Sequence, residues 1–309
     1  MRLTPLNKGD LIRVAAPAGP FRPGPFRKGV RQLQQQGFKI KFRPDIFATQ
    51  TLGDHKDRPY LAGSDRRRLT ELTEALQDKT AKALLFARGG YGTQRLLPTL
   101  NGHRISPKVV VGLSDLTVLL NYLWQQHSLP SLYGPLVAPH LGNPINSKRL
   151  ARALTEPDYF QRQKLTAREI LGCRGVLPYA PTRGILVGGC LSLIISTLGT
   201  PFECDTVHKI LFLEDTQEEP YAVDRMLTQL KQAGKLKQVR GIVLGTFLLK
   251  NKLFPAKIKN VVQECLKDFP GPVLWGVRFG HCPDPLIVPI GLPARIEGHQ
   301  LIIEKGIFS

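Results

Sequence analysis

The first half of the chain alternates short apolar runs with amphipathic segments. Each apolar run is rich in aliphatic or aromatic residues and ends at a loop-forming segment, which is typical of a buried strand. The amphipathic segments repeat their apolar residues at the period of a helix. Strand, loop and helix in this repeated order predict a parallel sheet with helices on both faces. The predicted strands are Leu11–Ala16, Phe38–Phe42, Ala83–Ala87, Val109–Val111 and Ser131–Tyr133, and the predicted helices are Phe26–Gln36, Asp65–Leu76, Thr93–Thr99 and Leu116–Gln126.

In the second half, strand-like runs come closer together and fewer helices separate them. This pattern predicts a second α+β domain with a compact, barrel-like sheet. We therefore expect an α/β protein with an N-terminal domain at residues 1–142, a polar linker at 143–167 and a C-terminal domain at 168–309. The predicted strands here are Gly184–Val187, Ile210–Leu213, Gly241–Leu244, Val273–Val277, Leu286–Ile290 and Leu301–Glu304, with helices at Leu191–Leu198, Val223–Ala233 and Lys257–Lys267.

The chain of 309 residues is strongly basic, with a formal net charge of +19. Such a charge favours anionic partners, among them nucleic acids, anionic membrane surfaces and acidic small substrates. Basic clusters such as Arg66–Arg68 lie in helix-like segments, where a solvated helix face explains them. No aromatic-basic RNA-binding motif and no zinc-finger spacing accompanies them, so nucleic acid is not the expected partner.

The five cysteines are scattered and form no C-x-x-C pair, which argues against a disulfide scaffold, a zinc site and a thioredoxin-type motif. We therefore expect no metal and no cofactor. The N-terminal apolar run is unlike a signal peptide, because it is short and Arg13, Pro17 and Pro20 interrupt it. No segment approaches the length of about 18 apolar residues that a membrane span needs. The expected location is the cytoplasm, with no membrane partner.

The stretch Pro107–Gln126 places a serine where a predicted strand ends and a predicted helix begins. The strand is Val109–Val111, a tight turn follows, and Ser114 lies at its end. Nucleophilic serines of α/β hydrolases occupy this kind of position, although the G-x-S-x-G form is absent because residue 116 is Leu. Serine and aspartate are also favoured helix caps, so a capping role for Ser114 is the alternative hypothesis.

Three further strand ends carry residues that suit chemistry. Arg88–Gly92 is a glycine-rich turn whose backbone N–H groups can approach a ligand, although a tight strand–helix connection explains it equally well. Glu214 and Asp215 end a buried strand, where an acid faces either a pocket or solvent. His281 lies in a constrained loop, and a hydrogen-bonded histidine without catalytic function is the alternative there. Its neighbour Cys282 has no second cysteine nearby and is interpreted as a partly buried thiol.

Ser114, Glu214 and His281 are together the residue types of a serine hydrolase. A serine hydroxyl needs an imidazole base, and the base needs a carboxylate on its other ring nitrogen. Ser114 belongs to the first predicted domain and the other two residues to the second. The hypothesis therefore requires the two domains to share one site.

With these residues identified, the sequence resembles the LD-carboxypeptidase (muramoyltetrapeptide carboxypeptidase) family of serine peptidases. The resemblance covers almost the whole chain and rests on short motifs that occur in the family's order. These motifs are Gly9-Asp10, Ala16–Gly19, Tyr60–Gly63, Arg88–Gly92, Gly112–Asp115, Gly134-Pro135, Gly188-Gly189, Leu213–Asp215, Phe279–His281 and Pro289–Gly291.

The resemblance implies a fold and a reaction. The fold is a flavodoxin-like N-terminal domain followed by a swivelling β/α C-terminal domain, usually assembled as a homodimer. The reaction is hydrolysis of the peptide bond between an L-centre and a C-terminal D-residue. In the peptidase branch of the family, this reaction releases D-alanine from murein tetrapeptides during cytoplasmic wall recycling.

The resemblance also implies roles for particular residues. Ser114 would be the nucleophile, His281 the general base, and Glu214 the residue that orients His281. The helix-capping role then passes to Asp115, and the backbone N–H groups of Asp115 and Gly90 would bind the oxyanion. The predicted oxyanion and substrate contacts are Asp115, Gly90, Gly89 and Arg88.

Three residues near the predicted site depart from the family pattern. The family commonly has Tyr or His in place of Leu113, His in place of Tyr133, and Asn in place of Cys190. These departures leave the substrate open, because one branch of the family hydrolyses microcin-C-like aminoacyl nucleotides with the same triad. An alternative of another class is a basic module that binds phosphates or nucleic acid through Arg88–Gly92 and its lysine-rich surface.

Overall fold

The computed structural model describes residues 3–51, 59–171, 181–248 and 255–308. Contacts between residues divide the chain into two compact units. The first comprises Met1–Pro157 with Ile307–Ser309, and the second comprises Asp158–Gly306. Among the described residues, no helix combines the length and the apolar composition that crossing a membrane requires.

The first unit repeats strand, loop and helix along the chain, as the hydrophobic pattern predicts. Its central strands are buried almost throughout, which is expected of a parallel sheet covered on both faces. Short 3₁₀ turns at Gln94–Leu96 and Ser114–Leu116 precede two of the helices. The elements are β1 (Leu11–Ala15), α1 (Pro23–Gln35), β2 (Lys39–Lys41), α2 (Asp65–Gln77), β3 (Ala81–Phe86), α3 (Leu97–Leu100), β4 (Val109–Gly112), α4 (Thr117–His127), β5 (Ser131–Tyr133) and α5 (Pro144–Thr155).

Strands β1 to β5 pair with one another in parallel. β1 pairs with both β2 and β3, β3 pairs with β4, and β4 pairs with β5. Their spatial order is therefore 2-1-3-4-5, the order of flavodoxin-like folds, which confirms the predicted class. The order changes direction between β1 and β3. The carboxyl ends of β1, β3 and β4 meet at one edge of the sheet, where ligands bind in such folds.

The expected linker, residues 143–167, is divided between the two units. Asn143 caps α5 by accepting the backbone N–H of Ile145. Leu150 and Leu154 are buried on the same face of α5, and α5 packs against α1 in the first unit. The spacing of four residues between these leucines is that of an amphipathic helix, which the polar composition of the segment obscured.

The second unit opens with a short helix, has its longer helices in the middle of the chain segment, and has short strands near both ends. Its elements are α6 (Tyr159–Arg162), β6 (Leu165–Thr166), β7 (Glu169–Leu171), β8 (Thr182–Cys190), α7 (Leu191–Ser196), β9 (Lys209–Thr216), α8 (Pro220–Gln232), β10 (Gly241–Leu248), α9 (Pro255–Cys265), β11 (Val273–Trp275), β12 (Val288–Ile290), β13 (Pro293–Glu297) and β14 (Gln300–Ile303).

Eight of these strands form a mixed sheet in the order β6-β14-β13-β8-β9-β10-β11-β7. β8 to β11 run parallel, and the flanking strands run antiparallel. The sheet curls as a half-barrel, in agreement with the predicted barrel-like fold. One glycine is required for a close approach between two strands. Gly188 has a φ of 132°, and a Cβ there would overlap the carbonyl of Phe212 on β9.

The hydrophobic pattern missed the short strands β6, β7 and β13. Charged residues occupy alternate positions in β13, so its two buried residues, Ala294 and Ile296, give too short an apolar signal. β9 ends at Thr216, one residue beyond the Glu214-Asp215 pair that the sequence places at the end of this strand. The strand continues through Glu214 and Asp215, which are buried although they are acidic.

Candidate active site

At the end of β4 the chain turns sharply at Ser114. Leu113 is extended, Ser114 adopts a φ of 65°, and a 3₁₀ turn leads into α4. A positive φ outside glycine costs about 1–3 kcal/mol, and such strain clusters at functional sites. Ser114 is half-buried, and its backbone N–H donates to the Tyr133 hydroxyl at 3.2 Å. The turn therefore presents the serine as a nucleophile elbow does, without the glycine pattern of that motif.

The helix-cap hypothesis for this segment is wrong. The cap positions of the 3₁₀ turn and of α4 are Leu113 and Leu116, and neither contributes a side-chain acceptor. Asp115 is fully buried, and its carboxylate accepts the backbone N–H of Thr93 at 2.8 Å. Burial raises the pKa of the Asp115 carboxyl, although the hydrogen bonds from the neighbouring turn oppose the shift. Asp115 thus fixes the glycine-rich turn rather than its own helix.

The glycine-rich turn at residues 88–92 lies directly against Ser114. A Cβ added to Gly89 would lie 2.8 Å from the Ser114 Cβ and 3.1 Å from its Oγ, so only glycine fits there. The Gly89 carbonyl accepts the backbone N–H of Gly19 at 3.0 Å, and Gly90, with a φ of 107°, packs on the same residue. Arg88, at the start of the turn, is exposed. The first unit therefore brings together the predicted serine and the predicted glycines.

The basic cluster at 66–68 is only partly solvated: Arg66 is exposed and Arg67 is half-buried, but Arg68 does not face solvent. Arg68 is completely buried, and its guanidinium donates to the carbonyls of Pro17, Gly63 and Gly92. These carbonyls belong to three different loops at the carboxyl edge of the sheet, which Arg68 therefore holds together. Burial lowers the pKa of Arg68, and the carboxylate of Asp65 opposes the shift. Successive helical residues point about 100° apart, so three adjacent arginines could not all face solvent.

In the second unit, the end of β9 meets the loop before β12 as a carboxylate–imidazole pair. Glu214 is completely buried, and its two oxygens lie 2.8 and 3.1 Å from Nδ1 of His281. The backbone N–H of His281 donates to the same carboxylate at 3.0 Å. A carboxylate at Nδ1 keeps the proton of the neutral ring there and leaves Nε2 as a proton acceptor. The imidazole is 19 % exposed, so it is accessible from one side.

Gly280 permits this pairing. Its φ is 88°, and a Cβ at this position would overlap the carboxylate of Glu214. Burial of the His281 ring lowers its pKa, but the charge and hydrogen bonds of Glu214, with the charge of Asp215, outweigh burial. The pKa of His281 therefore lies above its ordinary value.

Asp215, the neighbour of Glu214, is occupied by other contacts. Its carboxylate accepts the backbone N–H groups of Ser192 at 2.7 Å and Thr216 at 2.8 Å. The thiol of Cys190 donates to it at 3.3 Å. Burial, followed by the charge of Glu214, raises the pKa of Asp215 to about 6. Asp215 therefore fixes the start of α7, while Glu214 holds the histidine.

The positioning roles of Arg68, Asp115 and Asp215 are not predicted from the sequence. A signal for the two aspartates exists, because each directly follows a predicted site residue at the end of a buried strand. No comparable signal marks Arg68, since its role depends on which helical face packs inward.

Cys282 follows His281 and is half-buried. Its backbone N–H donates to the Gly280 carbonyl at 2.8 Å. Burial raises the pKa of its thiol, and the Thr246 side chain opposes the shift through a hydrogen bond. A protonated thiol is a poor nucleophile and a poor metal ligand, which agrees with its interpretation as a partly buried thiol.

Comparison with protein families matches both units. The model of the LD-carboxypeptidase N-terminal domain matches residues 12–134, and that of the LD-carboxypeptidase C-terminal domain matches residues 183–296. This chain belongs to the LD-carboxypeptidase family. It is an enzyme, a serine-type carboxypeptidase.

Two relatives match nearly the whole chain. A probable murein peptide carboxypeptidase of Bacillus subtilis is 36% identical, over 98% of this chain and 94% of the relative. The murein tetrapeptide carboxypeptidase of Pseudomonas aeruginosa is 28% identical, over 94% of both chains.

Solved structures show the same architecture. A muramoyltetrapeptide carboxypeptidase from Oxalobacter formigenes superposes with a TM-score of 0.75 and 26% identity, over 94% of this chain and 97% of that one. The microcin C7 self-immunity protein MccF superposes with a TM-score of 0.82 and 22% identity, over 99% of both chains. At that identity, the likeness to MccF establishes the two-domain fold of this LD-carboxypeptidase and nothing more.

Proposed function

We propose that this LD-carboxypeptidase hydrolyses the L,D peptide bond of murein tetrapeptides and releases their C-terminal D-alanine. Ser114 is the nucleophile, His281 the general base, and Glu214 the residue that orients the base. The murein peptide names of two full-length relatives support the substrate class. The observation that carries the proposal is the buried Glu214–His281 pair, because such a pair prepares Nε2 to take a proton from a serine.

The proposed reaction proceeds through an acyl-enzyme. Nε2 of His281 removes the Ser114 hydroxyl proton as Oγ attacks the carbonyl carbon of the L-centre. The same proton then passes from Nε2 to the amine of D-alanine, whose bond to the carbonyl breaks. A water molecule, deprotonated by Nε2 of His281, then attacks the ester carbonyl. The bond from that carbonyl to Ser114 Oγ breaks, Oγ takes the proton back from Nε2, and the peptide leaves as a carboxylic acid that ionises in water. Glu214 stabilises the imidazolium in both steps without taking the proton.

The developing oxyanion needs N–H donors close to Ser114. We assign this role to the backbone N–H groups of Asp115 and Gly90, because Asp115 follows the nucleophile and the glycine turn packs against it. Losing one such donor typically costs about 10²–10³ in rate. Because Asp115 and Arg68 tie the turn to its surroundings, the donors are fixed before the substrate binds.

The test is D-alanine release from a murein tetrapeptide by the wild type and by Ser114→Ala. The variant should lose about 10⁴-fold or more in kcat while it keeps the melting temperature of the wild type. Ser106→Ala is the matched control, because Ser106 is also a half-buried serine, and its hydroxyl donates to the Gln77 carbonyl outside the candidate site. Full activity in Ser114→Ala would overturn the assignment.

Two further measurements separate the rival hypotheses. Incubation with an aminoacyl-sulfamoyl adenosine, followed by mass spectrometry, would reveal the aminoacyl-nucleotide activity. Steeply salt-dependent duplex binding without hydrolase activity would favour the phosphate- or nucleic-acid-binding module. If the enzyme hydrolyses the tetrapeptide but not the aminoacyl-sulfamoyl adenosine, the result supports the peptidase hypothesis.

The biological setting that we propose follows from the family resemblance. The enzyme would act in peptidoglycan recycling, in the cytoplasm, as a homodimer. Sedimentation analysis of the purified chain tests the dimer. Accumulation of tetrapeptides in the cytoplasm of a strain without the enzyme tests the recycling role.

A further inference from the structure

A cavity of about 530 Å³ opens at the carboxyl edge of the first unit's sheet. It lies where the strand order changes direction, between the loops that follow β1 and β3. In open parallel sheets, ligands bind in the crevice at this reversal. Its volume is within the range of small-ligand sites, about 300–1,000 Å³. Its lining includes Pro20, Phe21 and Arg22 after β1, Arg88 after β3, and Ala138 and Pro139 after β5.

The walls of this cavity are fixed by contacts within the protein. The guanidinium of Arg88 donates to the carbonyl of Pro20 at 2.6 Å, which joins the loops on either side of the crevice. The Phe21 ring packs against Phe26 and Phe47, with centroids 4.9 and 5.5 Å away. A site that is ordered in advance binds its ligand with a smaller entropic cost.

The charge of the residues that line the cavity indicates an anionic ligand. Two arginines, Arg22 and Arg88, contribute to it, and none of its described residues is acidic. A guanidinium binds a carboxylate through paired N–H groups, and this geometry suits arginine better than lysine. Phe21 and the prolines supply an apolar surface for the carbon skeleton beside that carboxylate.

The cavity is within reach of the nucleophile. Arg88 is adjacent to Gly89, and Gly89 packs against Ser114. Neighbouring strands lie about 4.8 Å apart, so roughly 5–10 Å along the sheet edge separate Ser114 from the crevice. One peptide residue spans about 3.5 Å, so a carboxylate one to three residues from the cleaved bond can reach the arginines.

We propose that this cavity is a carboxylate subsite for the peptide substrate, with Arg22 and Arg88 as its cationic groups. The inference rests on the proposed peptidase function and adds the chemistry by which the substrate is recognised. The carboxylate comes either from the C-terminal D-alanine or from the side chain of the residue before it. In the second case, the enzyme distinguishes diaminopimelate from lysine at the third position.

Four tetrapeptides separate these two sources. They carry meso-diaminopimelate or L-lysine at the third position, each with a free D-alanine or with D-alaninamide at the end. Arg22→Met should raise KM about 10-fold for every peptide that has the recognised carboxylate, with kcat within twofold, because the contact binds substrate and transition state alike. Arg22→Lys should recover part of the loss. Arg31→Met is the control, since Arg31 is exposed on α1 and does not line the cavity.

The pattern across the peptides identifies the source. If the effect of Arg22→Met disappears with the alaninamides, the subsite holds the terminal carboxylate. If it disappears with the lysine peptides, the subsite holds the side-chain carboxylate. An equal effect on all four peptides, or no effect, would overturn the inference.

A binding measurement keeps this result separate from the proposed function. Calorimetry with Ser114→Ala measures the Kd of each tetrapeptide without turnover. Adding Arg22→Met should weaken binding about 10-fold for the same peptides as in the kinetic assay, and an unchanged Kd would contradict the subsite. Absence of hydrolysis by the wild type, with neither D-alanine nor D-alaninamide released from any of the four peptides, would instead refute the proposed function.

Discussion

The ends of β4 and β9 carry a similar pair of residues in two different units. Ser114-Asp115 opens the 3₁₀ turn just after β4, and Glu214-Asp215 lies directly before the last residue of β9. In both pairs, the aspartate is buried and accepts backbone N–H groups from a neighbouring segment, Thr93 for Asp115 and Ser192 for Asp215. The residue before it is the one assigned to the reaction. Each side chain that we propose to act in the reaction is therefore followed by a buried acid that orders the backbone around it.

The two strand ends differ in how they present the functional side chain. Ser114 is half-buried and is turned outward by a strained backbone with φ of 65°. Glu214 is fully buried and continues the strand, so a second element must bring the histidine to it. Gly280 makes that approach possible. A nucleophile has to reach the substrate, whereas an orienting carboxylate has only to reach its histidine.

Glu214→Gln should have the largest effect at the second strand end. The amide cannot stabilise the imidazolium, so kcat should fall by about 10⁴, as for comparable triads. The base must be neutral, so wild-type kcat/KM falls as the pH drops through the raised pKa of His281. This fall should lie above pH 6.5, the ordinary value for histidine. In Glu214→Gln this acidic limb should move to lower pH. Burial still lowers the pKa of His281, and only the charge of Asp215 remains to raise it.

The control for this experiment is Glu218→Gln, which changes an acid four residues further along the chain. It should leave both kcat and the pH dependence unchanged. A Glu214→Gln profile that keeps the wild-type acidic limb would show that the carboxylate does not set the pKa of the catalytic base.

The two buried aspartates should give smaller effects that differ in kind. Asp115→Asn should lower kcat about 10-fold, because a loosened glycine turn holds the oxyanion donors less well. Asp215→Asn should lower kcat by a similar factor and also move the acidic limb to lower pH, because the charge of Asp215 helps to raise the His281 pKa. The kcat/KM of both variants is measured from pH 5 to 9. An acidic limb shifted in Asp115→Asn but not in Asp215→Asn would contradict the comparison.

Tyr133→Phe should have the smallest effect. It removes one hydrogen bond to the backbone N–H of Ser114, which contributes about 0.5–1.5 kcal/mol. We expect a decrease of about 2- to 10-fold in kcat/KM and a small decrease in melting temperature. A loss as large as that of Ser114→Ala would mean that the phenol takes part in the chemistry.

The sequence predicts the parts of the fold that follow from local patterns. The strands, the glycine-rich turn and the position of Ser114 after β4 are all marked by apolar runs and loop residues. The pattern fails where burial depends on distant contacts. The pattern predicts a solvated Arg68, yet this residue is buried among three loops. It also predicts a linker where the leucines of α5 pack into the first unit.

The site was predictable to a similar extent. The residue types indicate that a serine, a histidine and a carboxylate could act together. The family resemblance favours Glu214 over Asp215 as that carboxylate. The contacts of Asp115 and Asp215 could not be predicted, because they depend on where the neighbouring loops lie. The cavity beside Arg88 could not be predicted either, because it depends on how the loops after β1 and β3 lie next to each other.

A double-mutant cycle on kcat tests the central claim, that Ser114 and His281 act in one catalytic unit. D-alanine release from a tetrapeptide is measured for Ser114→Ala, His281→Ala and the double variant. If the two residues act as a unit, the double variant is no slower than the slower single variant. If kcat of the double variant instead falls by the product of the two single decreases, Ser114 and His281 act independently, which contradicts the proposed triad.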